Sequence, residues 1–315
     1  MPGNGPRRAA SRSRDRARSG IRRAARNRAI VALLRILAGC PARWRAGVAG
    51  SMGAVWRRTA RRRRRIAGAN LAYCFPELDA ARRDALVAGH FQSLGYALLE
   101  VALAWYADPA RLRDLVRVDG REHLEAALAR GRGALLLAGH FTTLEIGAAR
   151  LGIDAPVDGV YRPHADPSME RASRDGRQRF GGRLLDRTDV RGMLRRLRAN
   201  RAVWYAPDQD PGPRNGVFAP FFGRPAATVT ATARIARASG APVLPFRVER
   251  SAGGRAYRVV IEPALTGFPS GDVQADAAQV NAVIERWARA RPEQYLWVHR
   301  RFKTRPPGEP DVYGG

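Results

Sequence analysis

Residues 134–138 form an unbroken apolar run, Ala-Leu-Leu-Leu-Ala, closed at both ends by glycine. A short run of this kind is the pattern of a strand buried on both faces, and it commits the chain to a sheet with cover on each side. Residues 157–161, 203–206, 243–248 and 257–261 read as further strands. Between them, apolar residues recur at helical spacing over 143–152, 167–180, 190–199 and 228–239, with a last helix at 273–290. Upstream, a short helix at 122–130 ends on Gly131, and a long helical pattern runs from Pro76 to about Tyr106. Strands alternating with helices define an α/β domain whose central sheet is covered by helices on both faces.

Charge divides the chain differently. Lys+Arg 56 against Asp+Glu 28 leaves a net charge of +28, and residues 1–65, with 20 Arg and only Asp15 as an acid, hold +19 of it. Residues 1–28 are too polar and too charged to pack and read as a disordered basic tail. Residues 29–56 are the most apolar early stretch, but Arg35, Arg43, Arg45 and Pro41 interrupt them. A clean spanning helix needs ~18 uncharged residues, so this stretch reads as a membrane anchor or interfacial helix with snorkelling arginines. Residues 57–310 then make the main folded domain and 311–315 a short tail. Leu37-Ala38-Gly39-Cys40 has the form of a lipoprotein cleavage site. An n-region of about 28 residues and Arg35 inside the apolar segment argue against export by that route. Arg-rich flanks instead keep the domain on the cytoplasmic side. Cys40 and Cys74 form neither a CxxC nor a metal-ligand spacing, so a reducing compartment fits.

The sharpest local feature is Gly139-His140-Phe141-Thr142-Thr143-Leu144-Glu145, between the buried strand and the mouth of a helix. In open α/β sheets ligands gather where strands end and helices begin. A histidine there, with a carboxylate one helical turn on accepting from one ring nitrogen, has its other nitrogen free to take a proton from a hydroxyl. Of the other histidines, His90 sits in an apolar helical pattern, and His123 and His164 lie in polar segments. His299 has aromatic and basic neighbours suited to supporting the fold or the acceptor site.

At these residues the chain resembles the glycerolipid-type acyltransferases, whose signature is H-x4-E/D. It is most similar to the late acyltransferases of lipid A biosynthesis. The resemblance rests on Arg65-Ile66-Ala67-Gly68-Ala69-Asn70-Leu71 with Cys74-Phe75-Pro76-Glu77, on His140 to Glu145, and on Val160-Tyr161-Arg162-Pro163. It continues through Ala206-Pro207-Asp208-Gln209-Asp210-Pro211-Gly212, Val217-Phe218, and Pro220-Phe221-Phe222-Gly223. It ends on Glu293-Gln294-Tyr295-Leu296-Trp297-Val298-His299-Arg300-Arg301-Phe302-Lys303. It covers about residues 60–310. It implies a mixed central sheet, and transfer of a fatty acyl group from acyl-carrier protein to a hydroxyl of a Kdo-bearing lipid A precursor. It places the enzyme on the cytoplasmic face of the inner membrane.

A thioester donor is already activated, so a base and oxyanion donors suffice, with no cofactor and no metal. No G-x-S-x-G is present, and no covalent acyl-enzyme is expected. His140 is assigned as general base and Glu145 as its orienting partner. By the family's pattern Arg177 and Asp208 are the next essential pair, with Arg177 on a phosphate or the oxyanion and Asp208 holding that arginine. Arg162, after a strand, suits an anionic headgroup or the pantetheine arm.

Both implied substrates, the acidic carrier protein and the phosphorylated lipid, suit the basic excess. So does inner-membrane phospholipid, near which each basic residue contributes about 1 kcal/mol. A nucleic-acid-binding protein is the rival class, but no RNP, helix-turn-helix or zinc pattern accompanies the charge. An acyltransferase acting on a phosphatidylinositol mannoside or an aminolipid would share His140 and Glu145, but not the block from His299 to Lys303.

Overall fold

Strand β2 (Ala134–Leu137) is the middle of the molecule, with all four residues buried and parallel neighbours on both sides. The structure, a computed structural model, describes residues 25–314. A seven-stranded sheet runs in the order β1-β9-β8-β2-β5-β3-β4. Its strands are β1 (Val116–Asp119), β2, β3 (Val157–Tyr161), β4 (Leu184–Asp186), β5 (Ala202–Tyr205), β8 (Val243–Arg250) and β9 (Tyr257–Ile261). The β8–β9 pair is antiparallel and the others are parallel, so the sheet is mixed. A separate hairpin joins β6 (Gly216–Phe221) to β7 (Arg224–Val229).

Alternation along β2 separates two cores, as successive strand side chains point to opposite faces. Leu135 and Leu137 pack with Met193, Leu197 and Ile235, from helices α9 (Val190–Arg198) and α10 (Ala231–Ser239). Ala134 and Leu136 pack with Leu103, Leu112, Ile146 and Leu151. Those four come from α4 (Ala80–Tyr106), α5 (Pro109–Leu115) and α7 (Leu144–Asp154). The helices α6 (Arg121–Leu128), α8 (Pro167–Gln178) and α11 (Val273–Ala290) complete the cover. Aspartates start several of them: Asp79, Asp166, Asp189 and Asp272 each accept a backbone N–H in the first turn of α4, α8, α9 and α11, filling a donor the helix leaves open.

The N-terminal region differs from its expected form. The basic tail expected over residues 1–28 lies outside the described residues as far as residue 24, and 25–28 already belong to helix α1 (residues 25–38). The anchor expected over 29–56 is two helices, α1 and α2 (Ala42–Thr59), because Pro41 stands at the N-cap of the second in extended conformation. Helix α3 (Arg61–Cys74) follows. Among the described residues one helix, α4, is long and apolar enough to cross a membrane, yet 56% of its apolar window is buried in the protein. At the other end, residues 311–314 are not a free tail. Tyr313 is buried, its hydroxyl donating to Asn70 Oδ1 (2.6 Å) and accepting from the Phe302 backbone N–H (3.0 Å).

Candidate active site

Register decides which groups meet. Leu137 of β2 pairs with Tyr205 of β5, and the residues three positions beyond each, His140 and Asp208, leave the same sheet edge side by side. Asp208 Oδ1 lies 2.5 Å from His140 Nδ1, and its Oδ2 accepts the His140 backbone N–H at 2.9 Å. One carboxylate thus fixes both the ring and the backbone of the histidine. Burial alone would push the Asp208 carboxyl up, but the imidazole and these hydrogen bonds hold it down to about 2. Burial likewise works against the imidazolium, and the Asp208 charge outweighs it, so the His140 pKa is raised above 6.5. With the carboxylate ionised, Nδ1 carries the donated proton and Nε2 is the basic nitrogen, a tautomer assigned from the hydrogen-bond network.

The sequence-based pairing is therefore exchanged. Glu145, in the first turn of α7, takes Arg177 rather than His140. Arg177 Nε donates to its two carboxylate oxygens at 3.0 and 3.2 Å, Nη2 adds a second close contact, and Trp105 Nε1 donates at 3.1 Å. Asp208, expected to hold Arg177, holds His140 instead. The reason is geometric: a residue one turn into α7 faces α4 and α8, whereas β5 runs directly beside β2. Gly176 permits this approach of α8. A Cβ there would lie 2.3 Å from Trp105 Cγ, so only glycine lets Trp105 and Arg177 reach Glu145 together.

His140, Glu145, Arg177 and Arg162 line one cleft of about 270 Å3. Its inner wall is apolar, with Leu144, Ala148, Val160, Phe180, Leu184 and Trp204. Arg162 is exposed at the rim, and His164 also lines it. His140 is 27% exposed at the mouth, whereas Asp208 is buried behind it.

His299 is closer to this chemistry than its sequence neighbours indicated. Its ring stands edge-on to His140 at 5.8 Å, and its Nε2 lies 3.2 Å from Gln209 Nε2. Burial, then the neighbouring His140, pulls its pKa down to about 4, so it is neutral and accepts from the Gln209 amide. The segment before it clamps the strand end. Leu296 N–H donates to the His140 carbonyl (2.9 Å), and Thr142 N–H donates to the Gln294 carbonyl (2.8 Å). Asn70 ties the same segment to α3 through the Trp297 and His299 carbonyls. Each of these contacts reaches a backbone group more than 150 residues away, and local sequence spacing carries no signal of them. His90 is fully buried on α4, 3.3 Å from the Glu293 carbonyl, away from the His140 cleft lining.

A mixed α/β sheet thus carries a histidine–aspartate pair at its parallel strand ends, above an apolar cleft. The profile of the family "Bacterial lipid A biosynthesis acyltransferase" matches residues 16–304, and the chain belongs to that family. The chain is 41% identical to "Lipid A biosynthesis lauroyltransferase" of Escherichia coli K12 over 263 residues, 83% of this chain and 86% of the relative. It is 40% identical to the "Lipid A biosynthesis palmitoleoyltransferase" of the same organism over the same shares. The "Lipid A biosynthesis myristoyltransferase" of that organism is 28% identical over 90% of this chain and 88% of its own length.

Proposed function

We propose that this acyltransferase moves a fatty acyl chain from acyl-carrier protein to a hydroxyl of a Kdo-bearing lipid A precursor. The observation that carries the reading is His140, its Nδ1 bound to Asp208 and its Nε2 left at the mouth of an apolar cleft. The hydroxyl oxygen attacks the thioester carbonyl as His140 Nε2 takes its proton. The C–S bond then breaks, and the imidazolium returns the proton to the departing thiolate. Arg177 is fixed by Glu145 through Nε and Nη2, which leaves Nη1 to support the developing oxyanion. Arg162 at the rim suits the pantetheine phosphate. The thioester supplies the activation, so the step needs no cofactor.

The relatives' names support an acyl donor of 12 to 16 carbons, and the apolar wall gives such a chain a dry bed. In the test, the purified chain is incubated with lauroyl-carrier protein and Kdo-bearing lipid IVA. Carrier thiol is expected to appear in step with a singly acylated lipid by mass spectrometry, with no added cofactor. No acylated lipid from either the carrier-protein or the coenzyme A thioester would overturn the reading.

The same reading places the protein on the cytoplasmic face of the inner membrane. Leu33, Ile36, Trp44 and Val55 on α1 and α2 are exposed, Ile36 by 73% and Trp44 by 60%. Arginines at 35, 43, 57, 58 and 61–65 lie between or shortly after them in sequence. Apolar side chains beside cations fit an anionic interface. The double variant Ile36→Glu, Trp44→Glu is expected to lower flotation with vesicles containing phosphatidylglycerol about tenfold; unchanged flotation would move the anchor elsewhere.

A further inference from the structure

A second cleft of about 500 Å3 opens between α1 and α8. It is separated from the His140 cleft by a wall common to both, Trp105 and Gly176. We propose that this second cleft binds the phosphorylated sugar head of the acceptor lipid, so that the acceptor lies across Trp105 with its reacting hydroxyl at His140. This rests on the reading above that the acceptor is a phosphorylated glycolipid.

Three features fit that occupant. Arg28, Arg35 and Arg171 line the cleft against a single acid, Asp175, and guanidinium forks match phosphate oxygens in pairs. Arg35 is also steadied over the Tyr106 ring at 5.6 Å. Asn27, also in the lining, is 1% exposed. Its Nδ2 donates to Asp166 Oδ1 (2.5 Å) and Ser168 Oγ (2.6 Å), which pins α1 onto the start of α8. Its Oδ1 has no hydrogen-bond partner among the described residues. With that atom shielded from solvent, the contribution of Asn27 is to hold the α1 wall of the cleft against α8. Val31, Ala32 and Ala172 add an apolar strip for the first methylenes of an acyl chain. A bilayer phospholipid would satisfy the arginines, but it would not place a hydroxyl-bearing chain at His140.

The test measures binding of radiolabelled, diphosphorylated Kdo-lipid IVA in neutral mixed micelles to the immobilised full chain. The parent, Arg35→Gln/Arg171→Gln and His140→Ala are compared. His140→Ala is expected to bind as the parent does, so the readout does not depend on turnover. Arg35→Gln/Arg171→Gln is expected to bind at least tenfold more weakly and to show the same rise in acceptor KM. Its donor KM is expected to stay within twofold of the parent value. Enzymatically dephosphorylated glycolipid is expected to compete poorly for the parent and no worse for the double variant. Unchanged binding in the double variant, in a parent that transfers acyl chains, overturns the cleft alone. Competition by phosphatidylglycerol equal to that of the glycolipid assigns the cleft to bilayer lipid and also overturns it. A parent that neither binds the glycolipid nor acylates it overturns both this inference and the acceptor on which it rests.

Discussion

His140→Ala is expected to lower kcat of acyl transfer by on the order of 10²–10⁴ while the fold persists. The ring is 27% exposed at the cleft mouth, so its removal leaves no large cavity. The strand end itself is held by backbone bonds from Leu296 and Gln294. Asp208→Asn separates the base from its partner. The amide keeps the shape but removes the charge that raises the His140 pKa. A base must be unprotonated to act, so kcat/KM of the parent is expected to rise with pH through a limb above 6.5. In Asp208→Asn that limb moves to lower pH and the plateau falls. His299 and Tyr295 do not blur this window. His299 is already neutral, with its pKa about 4, and Tyr295 stays protonated because burial, then Asp208, lifts it well above its ordinary value. A pH profile identical in parent and Asp208→Asn would remove Asp208 from the mechanism, and near-native turnover in His140→Ala would remove the base.

Glu100→Ala is expected to cost about 3–5 kcal/mol of stability. Glu100 is fully buried on α4 and accepts from Arg250 Nη1 of β8 at 2.6 Å. Arg250 Nη2 donates to Ser93 Oγ at 2.6 Å, and its guanidinium lies 4.4 Å from the Tyr96 ring centre. Burial pushes the Glu100 carboxyl up and Arg250 opposes it. The cost of truncation is mainly that of leaving a buried guanidinium without its counter-charge. Urea unfolding followed by tryptophan fluorescence should show a large fall in midpoint. Glu100→Leu combined with Arg250→Met should recover most of it, because removing both charges leaves neither unpaired. A midpoint unchanged in Glu100→Ala would show that water reaches the pair.

Local pattern carried much of the fold. Residues 157–161 and 257–261 are strands at the expected bounds, and Val273–Ala290 is the expected last helix. The edge strands β1 and β4 are only four and three residues long, too short for periodicity to mark. The β6–β7 hairpin turns through Phe222 and Gly223, both at positive φ, and Pro220 and Pro225 disguise its strands. In the site, the positions of His140 and Glu145 were legible because strand end and helix start are local signals. The partners were not, because a pairing between residues 68 apart follows from sheet order. Two acids at similar reach cannot be ranked by spacing: Glu145 is near His140 in sequence, but Asp208 is its neighbour across β2 and β5.

The brace from residues 294–296 onto His140 and Thr142 bears on biosynthesis. A ribosome that has translated as far as α11 has already delivered His140, Asp208 and the cleft, yet the loop between β2 and α7 still lacks its two crossing hydrogen bonds. Those bonds, and the Asn70 tether behind them, form only once residues 294–299 have emerged. Chains that stop short of residue 294, or are nicked before it, therefore lack the clamp on the segment that carries His140.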